Sequence, residues 1–248
     1  MLEFLHAWTH PQENILRKVL QSNTVIFVPI INVDSVVENI RQFELTGKPA
    51  TIRKNRHSYS DDCIDSGKGT GPGVDLNRNY GYAFGLDDEG SSSNPCSADY
   101  RGPSAFSEPE TRSVRDFITQ WPNIHFALNF HAFGNFLLTP INADPKENSN
   151  LSQFREASAF YNILHKAALL PSGNVMGNGR TTINYTANGE ASDWMLAKRN
   201  VISMSPELGT GDHRTDHFYL EPKMIVKVVS ENAIWIHEVY KALNDGIY

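Results

Sequence analysis

The sequence predicts an α/β fold, in which a β-sheet carries helices on both of its faces. Two observations lead to this class: strand-like and helix-like patterns alternate along the chain, and the composition, with 40% apolar and 20% charged residues, is typical of a globular protein. Residues 1–248 show no internal repeat, linker or low-complexity tract. We therefore expect a single domain.

The first elements are predicted from apolar spacing. Residues 1–8 carry apolar side chains at helical spacing with no capping residue ahead of them, which predicts a helix that begins upstream of the given sequence. Pro11 begins a second predicted helix over residues 11–23. Residues 25–31 form a continuous apolar, β-branched run that predicts a buried strand. The long polar region 34–103 shows no obvious helix and is expected to be functional loop.

The second half alternates more regularly. Residues 107–110 (Ser-Glu-Pro-Glu) have the pattern of a capping box and begin a helix. Residues 124–130 alternate as a strand that leads into His131. A helix is expected over about residues 151–169, and a short strand over 201–205 delivers Glu207.

Two of these helices have a predicted buried face. The buried side chains expected in the helix that starts near residue 107 are Val114, Phe117, Ile118 and Trp121. A last helix spans about residues 221–243, and the side chains it is expected to bury are Ile225, Val228, Val229, Ile236, Tyr240 and Leu243.

Charge and hydropathy exclude several classes of function. The formal net charge of −6 argues against nucleic acid or an anionic membrane as the main partner. No apolar run approaches the length of a membrane span. Residues 1–10 lack the basic start and the small-residue cleavage site of a signal peptide.

Two cysteines, Cys63 and Cys96, lie in loops rich in Ser, Asp and Gly. Two exposed loop thiols in a reducing cytosol would be ordinary. An even number of loop cysteines is equally consistent with one disulfide in a secreted or lumenal protein.

Residues 73–80 (Gly-Val-Asp-Leu-Asn-Arg-Asn-Tyr) are the most informative segment. The planar guanidinium of Arg78 can hold a carboxylate through two parallel hydrogen bonds, and Asn77 can add an amide donor beside it. Taken alone, the segment is also consistent with a loop that carries a surface ion pair.

Several other groups could take part in chemistry. His131 and Glu207 each follow a predicted strand, where open α/β sheets place their ligands. Glu207 lies in an apolar segment (Met-Ser-Pro-Glu-Leu-Gly), so the pKa of its carboxylate is expected to be raised, which suits a general base. Arg53 lies in a basic loop, and Tyr185 is a loop tyrosine that could close over a ligand. A core histidine, a capping carboxylate, a solvated arginine and a packed tyrosine are the ordinary alternatives.

Seven segments in order resemble the zinc metallocarboxypeptidases of the carboxypeptidase A/B type. They extend over most of the chain and are residues 53–56, 73–80, 95–102, 107–111, 129–131, 185–194 and 206–208. The resemblance implies a mixed, mostly parallel twisted sheet with helices on both faces. It also implies hydrolysis of the C-terminal peptide bond of peptides or proteins by water activated on one zinc ion.

The resemblance assigns roles to the binding residues. Asn77 and Arg78 match the pair that clamps the substrate carboxylate, and Tyr185 matches a mobile lid. Arg53 matches the arginine that stabilises the oxyanion. Ser192 matches the base of the side-chain pocket, where aliphatic residues select apolar substrates and acidic residues select basic ones. Serine is neither, and the nearby pocket-segment residues Glu190, Leu138 and Ala187 do not settle the preference.

The resemblance assigns the remaining roles as well. His131 matches one of three zinc ligands, and Glu207 matches the general base. Asp75 matches a carboxylate that orients another zinc-bound histidine. Cys63 and Cys96 match a disulfide, which favours an extracellular, lysosomal or other lumenal compartment.

The zinc motif of the family, His-x-x-Glu after an early strand, is not recognisable in this sequence. The one His-x-x-Glu lies at His10–Glu13, where no strand precedes it and Pro11 is explained as the start of a helix. We expect the true motif and the first strands of the sheet upstream of residue 1, so that this chain alone would be inactive.

Three interpretations remain open. The chain can be an N-terminally incomplete piece of an active carboxypeptidase. It can be a non-catalytic relative that binds peptide C-termini through Asn77, Arg78 and Tyr185. Finally, another histidine, His57 or His125, can complete the metal site.

Overall fold

The computed structural model describes residues 14–48, 50–64, 70–143, 155–168, 175–209 and 218–246. Its strands form a four-stranded sheet in the order β1-β4-β2-β3. The strand bounds are Phe126–Leu128 (β1), Phe136–Leu138 (β2), Val175–Gly177 (β3) and Ile202–Glu207 (β4). β1 runs parallel to β4 and β2 parallel to β3, whereas β2 and β4 are antiparallel. The predicted mixed, mostly parallel sheet of an α/β fold is confirmed.

Seven α-helices lie in the described part of the chain. Their bounds are Asn14–Ser22 (α1), Val33–Thr46 (α2), Pro109–Gln120 (α3), Arg155–Ala168 (α4), Gly179–Thr182 (α5), Ala191–Arg199 (α6) and Ile225–Asn244 (α7). Two short 3-10 turns, Leu76–Arg78 and Pro222–Met224, complete the secondary structure. Among these described helices, none combines the length and the apolar character that crossing a membrane requires.

Side chains of β1 point alternately into two apolar clusters. Phe126 and Leu128 pack against a cluster built from β2, β4, α4 and α7, whereas Ala127 packs against a second cluster built around Trp194. The first cluster centres on residues that are fully or almost fully buried: Leu137, Phe160, Leu164, Met204 and Trp235. The second includes Tyr80, from the segment of residues 73–80. Helices therefore cover both faces, and the second core holds the segment of residues 73–80 against the sheet.

The predicted strand over residues 25–31 is wrong. The segment has no regular secondary structure, and Ile26, Phe27, Val28, Ile30 and Ile31 are between 39% and 58% exposed. A strand exists only where a neighbour pairs with its backbone, and no described strand pairs with this segment.

The prediction that region 34–103 contains no helix is also wrong, because α2 extends to Thr46. Local capping explains it: the Asn32 side chain accepts a hydrogen bond from the Ser35 amide, and Gly47 ends the helix at φ 68° with its N–H bonded to the Phe43 carbonyl. The apolar side chains of α2 that would have signalled a helix are exposed: Val33, Val37, Ile40 and Phe43.

Three smaller expectations need correction. Glu108, not Ser107, is the N-cap of α3, because the Ser107 hydroxyl bonds to the Glu108 carboxylate and not to the helix. Trp121, Ile225 and Val229 are between 49% and 55% exposed, contrary to their predicted burial, and Trp121 lies one residue beyond the end of α3. The predictions for residues 1–13, 151–154 and 169 lie outside the described residues.

Candidate functional site

His131 and Glu207 lie side by side at one edge of the sheet. His131 follows β1, and Glu207 is the last residue of the adjacent parallel strand β4. The His131 N–H donates to the Pro206 carbonyl at 2.8 Å, and the Leu208 N–H donates to the His131 carbonyl at 2.9 Å. The backbones of His131 and Glu207 are therefore held together by continuous pairing, at the carboxyl ends of parallel strands.

The segment 73–80 meets this edge as a turn capped by Asp75. One carboxylate oxygen of Asp75 accepts the Asn77 N–H at 3.1 Å, and the other accepts Arg53 Nε at 3.0 Å. Gly73, at φ 111°, is required there because a Cβ would lie 1.9 Å from the Asn55 carbonyl oxygen. Burial acts to raise the pKa of Asp75, but the positive charges of Arg53 and Arg78 outweigh it and hold that pKa below its usual value. Asp75 is thus a buried anion that anchors Arg53.

Arg78 has a hydrogen-bonding group that is not satisfied. The side chain is buried, and its Nη1 donates to the Asn77 carbonyl at 2.8 Å. Glu190 Oε1 lies 4.0 Å from Nη1. The buried Nε has no hydrogen-bond partner among the described residues. Because buried polar groups are nearly always paired, the Arg78 guanidinium has an unfilled donor that an anionic ligand can take, although Arg199 Nε is unpaired in the same way among the described residues.

Charged and polar side chains from distant parts of the chain surround Arg78. Tyr185, 41% exposed in the loop between α5 and α6, interacts electrostatically with Arg53, Arg78 and Glu207. Burial raises the pKa of the Tyr185 hydroxyl, so this group is a proton donor at neutral pH. The fold thus brings the predicted residues Arg53, Arg78, Tyr185 and Glu207 into one electrostatic neighbourhood.

His131 belongs to the same neighbourhood. Burial, together with the positive charge of Arg53, lowers the pKa of His131 to about 4. The imidazole is therefore neutral near pH 7, which is the form that ligates metals.

The profile of the zinc carboxypeptidase family matches residues 1–234. The chain belongs to the zinc carboxypeptidase family. Curated relatives include carboxypeptidase A5 of Homo sapiens, 36% identical over 161 residues (64% of this chain and 35% of that protein), and carboxypeptidase B of Helicoverpa zea, 30% identical over 210 residues (83% and 46%).

Solved structures share the fold. Thrombin-activatable fibrinolysis inhibitor superimposes with a TM-score of 0.72 at 22% identity, over 98% of this chain and 57% of that one. Carboxypeptidase A from Helicoverpa armigera gives a TM-score of 0.55 at 25% identity, over 89% and 49%. The chain spans about half the length or less of the curated relatives it matches, with 35% of carboxypeptidase A5 and 52% of carboxypeptidase A4 from Mus musculus covered.

A zinc carboxypeptidase needs a metal site, and the described residues do not fit one. A catalytic zinc takes three protein ligands, whereas no group of three or more His, Cys, Asp or Glu side chains converges within the part of the chain that the structure describes. Neither His57 nor His125 belongs to such a group among the described residues. The Nδ1 of His57 lies 3.0 Å from Glu108 Oε2. His10 and Glu13 lie outside the described residues.

The segment proposed to form the side-chain pocket is closely packed. Ser192 is fully buried, and its hydroxyl accepts a hydrogen bond from the Ser205 hydroxyl at 3.2 Å. Leu138 and Ala187 are also buried. A role for Ser192 in substrate binding stays a prediction.

Glu190 and Asp193 form a buried acidic pair that sequence reasoning did not place. Glu190 is 4% exposed and Asp193 is fully buried, and Asn142 hydrogen-bonds to both carboxylates. Burial raises the pKa of Glu190, and burial together with the Glu190 charge raises that of Asp193 well above its usual value. The sequence did not predict this buried pair, because Asn142, which hydrogen-bonds to both carboxylates, lies far from them along the chain.

The disulfide implied by the family resemblance is present. Cys63 and Cys96 are bonded, with their Cα atoms 4.9 Å apart. Next to this bond, the buried Lys54 Nζ donates to the carbonyls of Pro95 and Ser97 at 2.9 and 2.8 Å. The disulfide and Lys54 together hold the loop beside the segment that carries Arg53.

Proposed function

We propose that this chain recognises the free carboxylate at the C-terminus of a peptide or protein. The single observation that carries the proposal is the buried Arg78, whose Nε has no partner in the described part of the chain. Asn77 lies directly beside it and can add an amide donor to the same anion. The match to the zinc carboxypeptidase family supports the choice of a peptide C-terminus among carboxylate ligands.

The neighbouring residues take roles consistent with this ligand. Tyr185 lies partly exposed in its loop, where it can close over a bound peptide, and its protonated hydroxyl can donate a hydrogen bond. Arg53, held by Asp75, offers positive charge beside the peptide carbonyl that precedes the last residue. Glu207 is the carboxylate proposed to accept a proton from an attacking water.

In the complete protein, the reaction proposed is hydrolysis of the C-terminal peptide bond. Zinc would supply a polarised water in such a site. Since the described residues contribute His131 alone as a family ligand, we assign no step to the metal in this chain. The chain as given is proposed to bind peptide C-termini without hydrolysing them.

A non-catalytic relative that only binds C-termini is the second candidate, and the missing three-ligand group among the described residues is consistent with both candidates. Hydrolysis of a blocked dipeptide, measured together with the zinc content per chain, separates the candidates. Stoichiometric zinc and turnover by the given chain would contradict both the predicted inactivity and the binding-only function. A coding segment upstream with a strand followed by His-x-x-Glu would exclude only the latter.

Arg78→Ala tests the proposed binding function. We expect the affinity for N-acetyl-Gly-Phe, measured by isothermal titration calorimetry, to fall at least tenfold, because a charge-assisted hydrogen bond contributes about 1.5–3 kcal/mol. The affinity for the C-terminal amide of the same peptide should change less than twofold.

Arg17→Ala is the matched control, since Arg17 is exposed on α1. It should leave both affinities unchanged. An equal loss for the acid and the amide in Arg78→Ala would remove Arg78 from carboxylate recognition.

The disulfide favours an oxidising compartment. We propose that the protein works outside the cell or in a lumenal compartment, and that residues 1–248 belong to one domain.

A further inference from the structure

The amide of Asn77 is held in one orientation by its surroundings. Its Oδ1 accepts the backbone N–H of Ala191 at 3.1 Å, so that Nδ2 must face the other way. One Nδ2–H then donates to Glu190 Oε1 at 3.2 Å.

The other oxygen of Glu190 meets a second amide that is fixed in the same manner. Asn142 Oδ1 accepts the backbone N–H of Gly179 at 2.6 Å, and Asn142 Nδ2 donates to Glu190 Oε2 at 2.5 Å. The backbone N–H of Asn142 donates to both oxygens of Asp193 at 2.9 Å, which fixes the position of Asn142.

These contacts determine which side chain fits at position 190. Two amide N–H groups point at it, and neither amide can turn over without placing its own NH₂ group against a backbone N–H. A carboxylate accepts at both of its oxygens, whereas a glutamine amide accepts at only one. In a Glu190→Gln variant, one N–H would therefore face another N–H.

We propose that Glu190 is a positioning residue for the carboxylate clamp, which orients Asn77 beside Arg78 so that the second Nδ2–H of Asn77 serves the bound carboxylate. This inference rests on the proposed function of Asn77 and Arg78. Glu190 Oε1 also lies 4.0 Å from Arg78 Nη1, so the same oxygen is close to both members of the clamp.

The competing role for Glu190 is selection of a basic substrate side chain. Its burial and the occupation of both oxygens by Asn77 and Asn142 favour positioning. The two roles predict different dependence on the peptide. Positioning acts through Asn77 and affects the binding of every peptide with a free C-terminus, whereas selection affects only peptides that end in Lys or Arg.

A double-mutant cycle between Asn77→Ala and Glu190→Gln tests the proposal on the given chain. The ligands are N-acetyl-Gly-Phe and N-acetyl-Gly-Lys, each as acid and as amide, titrated by calorimetry. We expect Asn77→Ala to weaken binding of both acids about tenfold in the unchanged chain and less than twofold in the Glu190→Gln background. Glu44→Gln, an exposed carboxylate-to-amide change on α2, is the matched control and should leave the Asn77 effect intact.

The contrary results are distinct. An equal Asn77→Ala effect on affinity in both backgrounds would refute positioning. If Glu190→Gln lowers the affinity only for the Lys peptide, Glu190 is instead a side-chain selector. If the unchanged chain does not prefer acids to amides, the proposed function fails and this inference fails with it. If that preference is present but the coupling is absent, only this inference fails.

Thermal unfolding shows whether each variant is folded. Should Glu190→Gln lack a cooperative transition, Asn142→Ala takes its place in the cycle. It removes one of the two fixed amides around Glu190, so Asn77→Ala is expected to cost less affinity in the Asn142→Ala background than in the unchanged chain. An equal cost in both backgrounds would refute the proposal.

Discussion

At the scale of single residues, the site is organised by buried carboxylates whose oxygens are all engaged. Asp75 receives Arg53 and the Asn77 backbone, and Glu190 receives the side chains of Asn77 and Asn142. The sequence predicted Asp75, Asn77 and Arg78 because they lie within one short segment. It did not predict the orientation of Glu190, because that orientation depends on an amide 48 positions away.

Asp75→Asn is expected to lower the free energy of unfolding by about 2 kcal/mol near pH 7, because it removes the anion that holds Arg53. This figure is below that for a fully buried pair, since the Arg53 side chain is 44% exposed. The folded-state pKa of Asp75 is lowered, so its stabilisation is complete above the unfolded-state value of about 3.9 and is lost as the pH falls through the folded-state pKa.

Urea unfolding of both proteins between pH 7 and pH 2 measures this effect. The difference between the unchanged chain and Asp75→Asn should be constant down to about pH 4 and should shrink below it. Asp116→Asn removes the exposed partner of Arg115 and should change nothing measurable. A difference that grows on acidification would contradict the assignment of Asp75 as an anion.

At the scale of elements, strands and helices were predictable where their packing neighbours lie among the described residues. The alternating pattern around β1 and the apolar run of β4 were predicted because both strands pair with each other and are covered by helices. Residues 25–31 have an equally strong apolar pattern but no described partner strand, so the pattern alone predicted a strand that does not form. α2 was missed because its caps define it, whereas its apolar side chains are exposed.

Substitutions at Gly47 test whether capping determines α2. Gly47→Ala should lower the free energy of unfolding by about 1 kcal/mol, because a Cβ residue is disfavoured at φ 68° even though nothing lies within 4 Å of the added carbon. Gly47→Asn should lose clearly less, since Asn tolerates the left-handed region. Equal losses for Ala and Asn in thermal unfolding would argue against a backbone origin.

At the scale of the whole molecule, the fold brings together motifs that lie far apart along the chain. Asn77 meets Glu190 across 113 positions, and His131 pairs with the end of β4. The ordered motifs predicted the family and the disulfide. They could not supply a metal site, because the ligands that would accompany His131 are not found among the described residues.

The central claim is that Arg78 and Asn77, without a metal, hold the carboxylate of a peptide C-terminus. The most direct measurement is calorimetric titration of the unchanged chain with N-acetyl-Gly-Phe and with its amide, both in the presence of EDTA. We expect the acid to bind at least tenfold more tightly than the amide, because two charge-assisted donors act only on the carboxylate. Equal affinity for the two peptides would contradict the claim.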